Sequence, residues 1–227
     1  MTSEQEWFRQ FIKTDKFSEA LGIIWRFGHI HEGDNRFELS HKSFHVVSKF
    51  SSLIFGSTAP RSYFKKDKGF TEWECHFDIS NPFIQEAIKM GWTPRLQQER
   101  LFPTGEFNES IFVKTYILLR HDVGIMRGKT KRGILVRPRL RLHGSVDVLQ
   151  NLCRVLHQEL NIQPKKLQTD LKVQRAKTIY YQSKRDVPAI LEYVGAWEAL
   201  EKFNLFELGY EKSSTDQIYI IHPKQKG

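Results

Sequence analysis

At 227 residues, 40% hydrophobic and 13% aromatic, the chain can bury a sizeable core and is too apolar to be disordered. A net charge of +9 and a pI of about 9.5 favour a polyanionic partner, either nucleic acid or an acidic membrane surface. No apolar run approaches the ~20 residues of a membrane span, the two cysteines Cys75 and Cys153 have no pairing or ligand spacing, and residues 1–10 lack a signal-peptide core, so a cytoplasmic, nucleoid-associated protein with no membrane contact is expected.

Residues 2–13 carry Trp7, Phe8, Phe11 and Ile12 at amphipathic helical spacing, with Ser3 as the cap. Residues 18–27 are apolar nearly all round (Ala20, Leu21, Ile23, Ile24, Trp25, Phe27), which marks a helix buried on most sides; Gly28 ends it. Two strands follow near residues 29–31 and 36–41, around a turn at Gly33-Asp34-Asn35. In the second, Phe37 and Leu39 alternate with Arg36, Glu38 and Ser40. Ser43 caps a helix running to residue 55, with Phe44, Val47, Phe50 and Leu53 inward, and Gly56 stops it. Residues 57–70 hold Arg61, Lys65, Lys66 and Lys68 around Tyr63 and Phe64, as a basic loop or an edge hairpin. Residues 71–79 alternate as a strand. Asn81-Pro82 opens a short helix to Met90, with proline where a missing N–H is harmless, and Gly91 closes it. Residues 92–107 lose periodicity around Pro94, Pro103 and Gly105 and read as a connector.

The pattern then repeats. Residues 109–120 form an apolar helix with Ile111, Phe112, Val113, Tyr116, Ile117, Leu118 and Leu119. Two strands flank a basic turn at residues 127–132, and Ser145 caps a helix to about residue 160 with Val148, Leu149, Leu152 and Leu156 inward. Strands near residues 167–173 and 178–183 precede a helix with Pro188 in its first turn, ending at Gly195. A further helix is expected over 197–206, a terminal strand over 217–222 and a frayed tail at 223–227. His41-Lys42-Ser43 before Phe44 matches His143-Gly144-Ser145 before Val146, and Asn81-Pro82 matches Val187-Pro188. A repeat this long is domain duplication rather than a solenoid unit. The expected fold class is α+β, two pseudo-symmetric αββαββα repeats: an N-terminal repeat with a leading helix at 1–91, a linker at 92–107, a C-terminal repeat at 108–195, and a closing helix and tail at 196–227.

One stretch stands out chemically. Arg137, Arg139, Arg141 and His143 sit two apart, with Pro138, Leu140 and Leu142 between them, so a strand would show a cationic row on one face. Between residues 123 and 143 lie Arg127, Lys129, Lys131, Arg132, Arg137, Arg139 and Arg141, and no Asp or Glu. A solvated or salt-bridged strand face is the plain alternative, but such faces normally mix signs. Strand-borne arginine reads guanine edges bidentately, with Gln168, Gln174 and Gln182 as further base-reading candidates, while lysine at a turn suits phosphate. His29, His31, Glu32 and Asp34 have one ligand-like spacing, yet no further Cys or His pair completes a site, so they read as the polar mouth of a hairpin and no metal is expected.

The duplicated order, with Ala20-Leu-Gly-Ile-Ile-Trp-Arg-Phe-Gly28 opening one half and Phe112-Val-Lys-Thr-Tyr-Ile-Leu-Leu-Arg120 the other, resembles the LAGLIDADG homing-endonuclease family; Arg139-Leu-Arg-Leu-His-Gly-Ser145 and Tyr180-Tyr-Gln-Ser-Lys184 resemble its downstream segments. The resemblance covers residues 15–195. It implies two signature helices packed through small residues, a divalent metal held by an acid near each helix end, and two sheets forming a saddle over DNA. Carried over, Gly22 keeps a small packing residue and Thr115 stands where glycine is usual. Phe27 and Arg120 fall on the catalytic positions, where neither offers magnesium an oxygen ligand; Asp122 is the nearest fallback.

The expected protein is therefore a catalytically inactive, sequence-specific binder of double-stranded DNA and transcriptional regulator, acting as a pseudo-symmetric monomer without cofactor. Its DNA-binding set is Arg36, Glu38, Ser40, Arg61, Lys65, Lys66, Lys68, Arg127, Lys129, Lys131, Arg132, Arg137, Arg139, Arg141, His143, Gln168, Lys172, Gln174, Lys177, Gln182 and Lys184. The alternatives are a homing-type endonuclease using Mg2+ through Asp122 or Glu32, an RNA-binding maturase-like protein, and a protein-interaction module built on Trp7, Trp197, Phe203 and Phe206.

Overall fold

The computed structural model describes residues 2–30, 35–94, 99–169 and 177–211. The first half runs α1 (Ser3–Phe11), α2 (Asp15–Phe27), β1 (Gly28–Ile30), β2 (Arg36–His41), α3 (Phe44–Leu53), β3 (Arg61–Lys65), β4 (Phe70–Asp78) and α4 (Pro82–Lys89). The second runs α5 (Glu109–Leu118), β5 (Asp122–Thr130), β6 (Gly133–Gly144), α6 (Val146–Leu160), β7 (Gln168–Thr169), β8 (Lys177–Tyr181) and α7 (Asp186–Val194), followed by α8 (Trp197–Asn204) and β9 (Gly209–Tyr210). The first sheet has the order β1-β2-β4-β3 and the second β5-β6-β8-β7, with β9 added beside β6; every ladder is antiparallel. Both halves thus carry the αββαββα order, and α1 leads.

Period-two alternation explains why each sheet has one covered side. Phe37, Leu39, Cys75 and Phe77 in the first sheet, and Val123, Leu140, Leu142, Ile179 and Tyr181 in the second, point at the helices and are buried. Each full-sized side chain among them contributes roughly 1.5–3 kcal/mol. Helices α2 and α5 pack on one another between the sheets and join the two halves into one hydrophobic cluster. No helix among the described residues is long and apolar enough to cross a membrane.

The approach of α2 to α5 depends on Gly22. A Cβ there would lie 2.8 Å from Thr115 Cβ and 3.0 Å from the Phe112 carbonyl oxygen. The expected result for Gly22→Ala is a loss of about 1–3 kcal/mol in a urea titration, the usual cost of overpacking. Thr115, whose own side chain fills the contact, is the reason only one of the two helices needs glycine here.

Several local expectations shift. Thr2, not Ser3, caps α1: its hydroxyl accepts from the Gln5 N–H while the Gln5 side chain accepts from the Thr2 N–H, a capping box. Ser43 stands at the N-cap of α3 without a side-chain bond, and α3 ends at Leu53 rather than residue 55. Ser145, Asn81 and Asn108 do cap α6, α4 and α5 through their side chains. The segment 57–70 resolves as an edge hairpin, with β3 outermost. The basic turn contracts to Lys131 and Arg132: Thr130 pairs with Gly133, whose φ of +115° closes the hairpin, so Arg127 and Lys129 belong to β5. The helix over 197–206 stops at Asn204. The strand expected at 217–222 and most of that at 167–173 lie outside the described residues.

Candidate nucleic-acid interface

On β6 the burial alternates as the sequence requires. Val136, Pro138, Leu140 and Leu142 are buried, Arg137 is exposed, and Arg139, Arg141 and His143 are half-buried on the open side. The ladder sets Asp122, Gly124 and Met126 of β5 opposite Arg141, Arg139 and Arg137, and Tyr180 and Thr178 of β8 opposite Arg141 and His143. Asp122 is the one acid on this face among the described strand residues. It lies 3.1 Å from Arg139 Nη2 and 3.2 Å from Arg141 Nη2. The His143 ring is engaged by Thr178 Oγ1 at 2.9 Å.

The first sheet's open face is chemically different. Arg36, Glu38 and Ser40 of β2 stand there beside Glu72, Glu74, His76 and Asp78 of β4 and Arg61, Tyr63 and Lys65 of β3. Carboxylates and cations are interleaved. Glu72 takes hydrogen bonds from Lys65 and, at 2.6 Å, from the Tyr63 hydroxyl. Glu38 is buried and bonded to His29 Nε2 at 3.2 Å, a hydrogen bond that raises the His29 pKa above its ordinary value against the opposing effect of burial.

Where α2 and α5 end, two buried arginines occupy the helix termini. Arg26 donates from Nε to the Tyr116 carbonyl at 3.0 Å, from Nη2 to the Arg120 carbonyl at 2.8 Å and from Nη1 to the His143 carbonyl at 2.7 Å, with its guanidinium 3.7 Å from the Tyr116 ring centroid. Arg100, from the connector, donates to the carbonyls of Ile24 at 2.9 Å, Trp25 at 2.6 Å and Gly28, and the Trp92 indole N–H reaches Ile24 as well. The last carbonyls of a helix lack intrahelical partners and carry the negative end of its dipole, so each terminus here is satisfied and neutralised by a guanidinium. Neither arginine was among the sequence candidates. The signal available was Arg26 itself, the one charge in the otherwise apolar stretch 20–27 of α2, which must be paired when buried.

No family model and no curated protein matches the sequence. Solved structures do. The I-LtrWI LAGLIDADG homing endonuclease bound to target DNA superposes over 85% of this chain and 90% of its own, at 12% identity and a TM-score of 0.52. The I-SmaMI LAGLIDADG homing endonuclease bound to cleaved DNA does so over 85% and 89%, at 10% identity and 0.52. Full-length DUF199/WhiA from Thermatoga maritima gives 14% identity and a TM-score of 0.48, with 90% of this chain covered; the chain spans 66% of that protein's length. The fold is LAGLIDADG-like.

Within the LAGLIDADG-like frame, Phe27 and Arg120 close the two central helices at the same end, since Arg26 bonds the Arg120 carbonyl. The Phe27 ring lies against His41, 4.5 Å between centroids, and Arg120 is exposed. A divalent cation needs several oxygen ligands free of other cations. At these ends the carbonyls of Ile24, Trp25, Gly28, Tyr116 and Arg120 are already bound to Arg26 or Arg100, and the fallback carboxylate of Asp122 is held by Arg139 and Arg141. Among the described residues no cluster of His, Cys, Asp and Glu suits a metal, so this donor set does not fit one. His31, Glu32 and Asp34 lie outside the described residues.

The remaining candidates divide. Arg61, Lys66, Lys68, Lys131, Arg132 and Gln168 are exposed on strand edges and turns. Arg127 and Lys129 alternate onto the opposite side of β5 from the arginine row, and Arg127 Nε binds Glu211 at 2.6 Å. Lys177 shares the covered side of β8 with Ile179 and Tyr181. Lys184 Nζ donates to the Leu208 carbonyl at 2.8 Å, and Gln182 reaches Met126 Sδ at 3.8 Å. Glu38, taken by His29, is not presented to a ligand as its place in the alternation suggested. Lys172 and Gln174 lie outside the described residues.

Proposed function

We propose that the chain binds double-stranded DNA across the open faces of its two sheets, as a pseudo-symmetric monomer and a sequence-specific regulator, without cutting it. The observation that carries this reading is the row Arg137, Arg139, Arg141 on a strand face that is open among the described residues, with Asp122 as the one acid on it among the described strand residues. A cationic row of that kind attracts phosphate over distance and can read guanine on contact. The two neighbours crystallised with DNA support duplex DNA as the ligand. The unlike first sheet, where β2 carries Arg36, Glu38 and Ser40 in place of the arginines of β6 and β4 adds Glu72 and Glu74, supports a target whose halves differ. Against cleavage stand Phe27, Arg120 and the two guanidiniums that fill the helix ends. Competition separates DNA from RNA: with labelled duplex DNA bound in EDTA, unlabelled duplex DNA is expected to displace it at far lower concentration than structured RNA. Equal or stronger competition by RNA contradicts the reading.

A further inference from the structure

One carboxylate interrupts the arginine row. Asp122 opens β5 directly opposite Arg141 in the ladder, and Gly124 stands opposite Arg139. A single oxygen, Oδ2, meets Nη2 of both arginines. Arg139 crosses β5 beside Gly124, where a Cβ would make ordinary contact with Nη2 at 3.6 Å. The three side chains are 31%, 35% and 42% exposed for Arg139, Arg141 and Asp122. Ion pairs this accessible contribute little to folding, since solvent screens them. The same carboxylate weakens the attraction of the face for phosphate. Its position is therefore poorly explained by stability and runs against non-specific binding.

We propose that Asp122 is a specificity-determining residue, which holds Arg139 and Arg141 side by side as readers of base edges and withholds them from phosphate. The proposal rests on the DNA-binding reading. An unrestrained arginine on an open sheet finds the nearest phosphate, and such contacts position a protein without conveying sequence. A carboxylate on Nη2 changes both terms. It offsets much of the net charge, which a phosphate monoanion feels fully and a neutral base feels weakly. It also fixes the plane of each guanidinium, while the Nη1 groups keep their N–H donors uncommitted among the described residues. A fixed fork matches guanine N7 and O6 in one orientation. Two forks tied to one oxygen move together, so the pair reads neighbouring positions as a unit.

The experiment compares the 227-residue chain with its Asp122→Asn and Asp122→Glu variants on two probes, a duplex enriched from a randomised pool by the unaltered protein and the unselected pool itself, at several salt concentrations. Asp122→Asn is expected to bind the unselected pool several-fold more tightly. Its plot of log affinity against log salt should steepen by about one to two, roughly 0.9 for each arginine released to phosphate. Its preference for the enriched duplex should fall roughly tenfold, as one bidentate contact is worth. Asp122→Glu should retain most of the preference, because it returns the charge. An unchanged salt slope and preference in Asp122→Asn overturns the proposal. So does equal weakening on both probes with an unchanged melting temperature, which would make Asp122 itself a contact. Failure of the underlying reading looks different: the unaltered protein then retains neither probe. Magnesium-dependent cutting that Asp122→Asn abolishes would assign Asp122 to catalysis and remove both.

Discussion

Arg26→Ala is expected to destabilise the fold by about 3–5 kcal/mol, a fall of roughly 10 °C or more in melting temperature for a domain of this size. The substitution leaves three carbonyls, at Tyr116, Arg120 and His143, without the donor that now reaches each of them. Each acceptor left without a donor in a buried setting costs about 1–3 kcal/mol, reduced where water can enter, while the His143 carbonyl keeps the Tyr116 hydroxyl at 3.4 Å. The loss also removes positive charge from the end of α5, where the helix dipole favours it, and the guanidinium's packing on the Tyr116 ring. Arg26→Lys should recover less than half of the difference, because a single ammonium cannot span three acceptors arranged for a planar fork. Since His143 belongs to the strand that carries the arginine row, the same change loosens the link between the helix pair and the proposed binding face. A change within 1 kcal/mol, measured by urea unfolding, would show that these bonds do not contribute as their geometry implies.

The second large effect concerns the ligand. Arg139→Ala with Arg141→Ala is expected to weaken binding to an enriched duplex by about 2–6 kcal/mol, 1–3 for each bidentate base contact, with stability nearly unchanged because both side chains are a third exposed. Loss of sequence preference should accompany loss of affinity. Lys66→Ala with Lys68→Ala should behave otherwise: a uniform weakening across sequences and a salt slope shallower by about two, the pattern of phosphate contacts. If the lysine pair abolishes preference and the arginine pair does not, the assignment of roles is reversed. Fluorescence anisotropy on the two probes reads both variants.

Much of this was visible in the sequence, for identifiable physical reasons. The helix at 18–27 is apolar on most sides because it sits between two sheets, and no surface helix could carry that pattern. The alternation at 137–143 survives intact because one side of β6 must face the core. The placing of Phe27 and Arg120 on the catalytic positions came from the resemblance, and the two helix ends that carry them do meet, through the Arg26 bond to the Arg120 carbonyl. What was hidden depends on long-range pairing. Arg26 finds its acceptors 90, 94 and 117 residues away, and Arg100 reaches back more than 70 residues to α2. No local pattern specifies either. Residues 127–132 read as a turn because charge and glycine cluster there, whereas the ladder continues through Gly128 and turns only at Lys131-Arg132. Glu38 was correctly placed on the open side of β2, but the His29 that captures it arrives from the neighbouring strand.

The most direct test incubates the purified 227-residue chain with a randomised duplex pool at moderate salt, first in EDTA and then with magnesium, recovers the bound DNA, sequences it and examines its ends. The account predicts an enriched, asymmetric duplex motif recovered intact under both conditions. Recovery of no duplex above background, or of strands cut in magnesium, would contradict it.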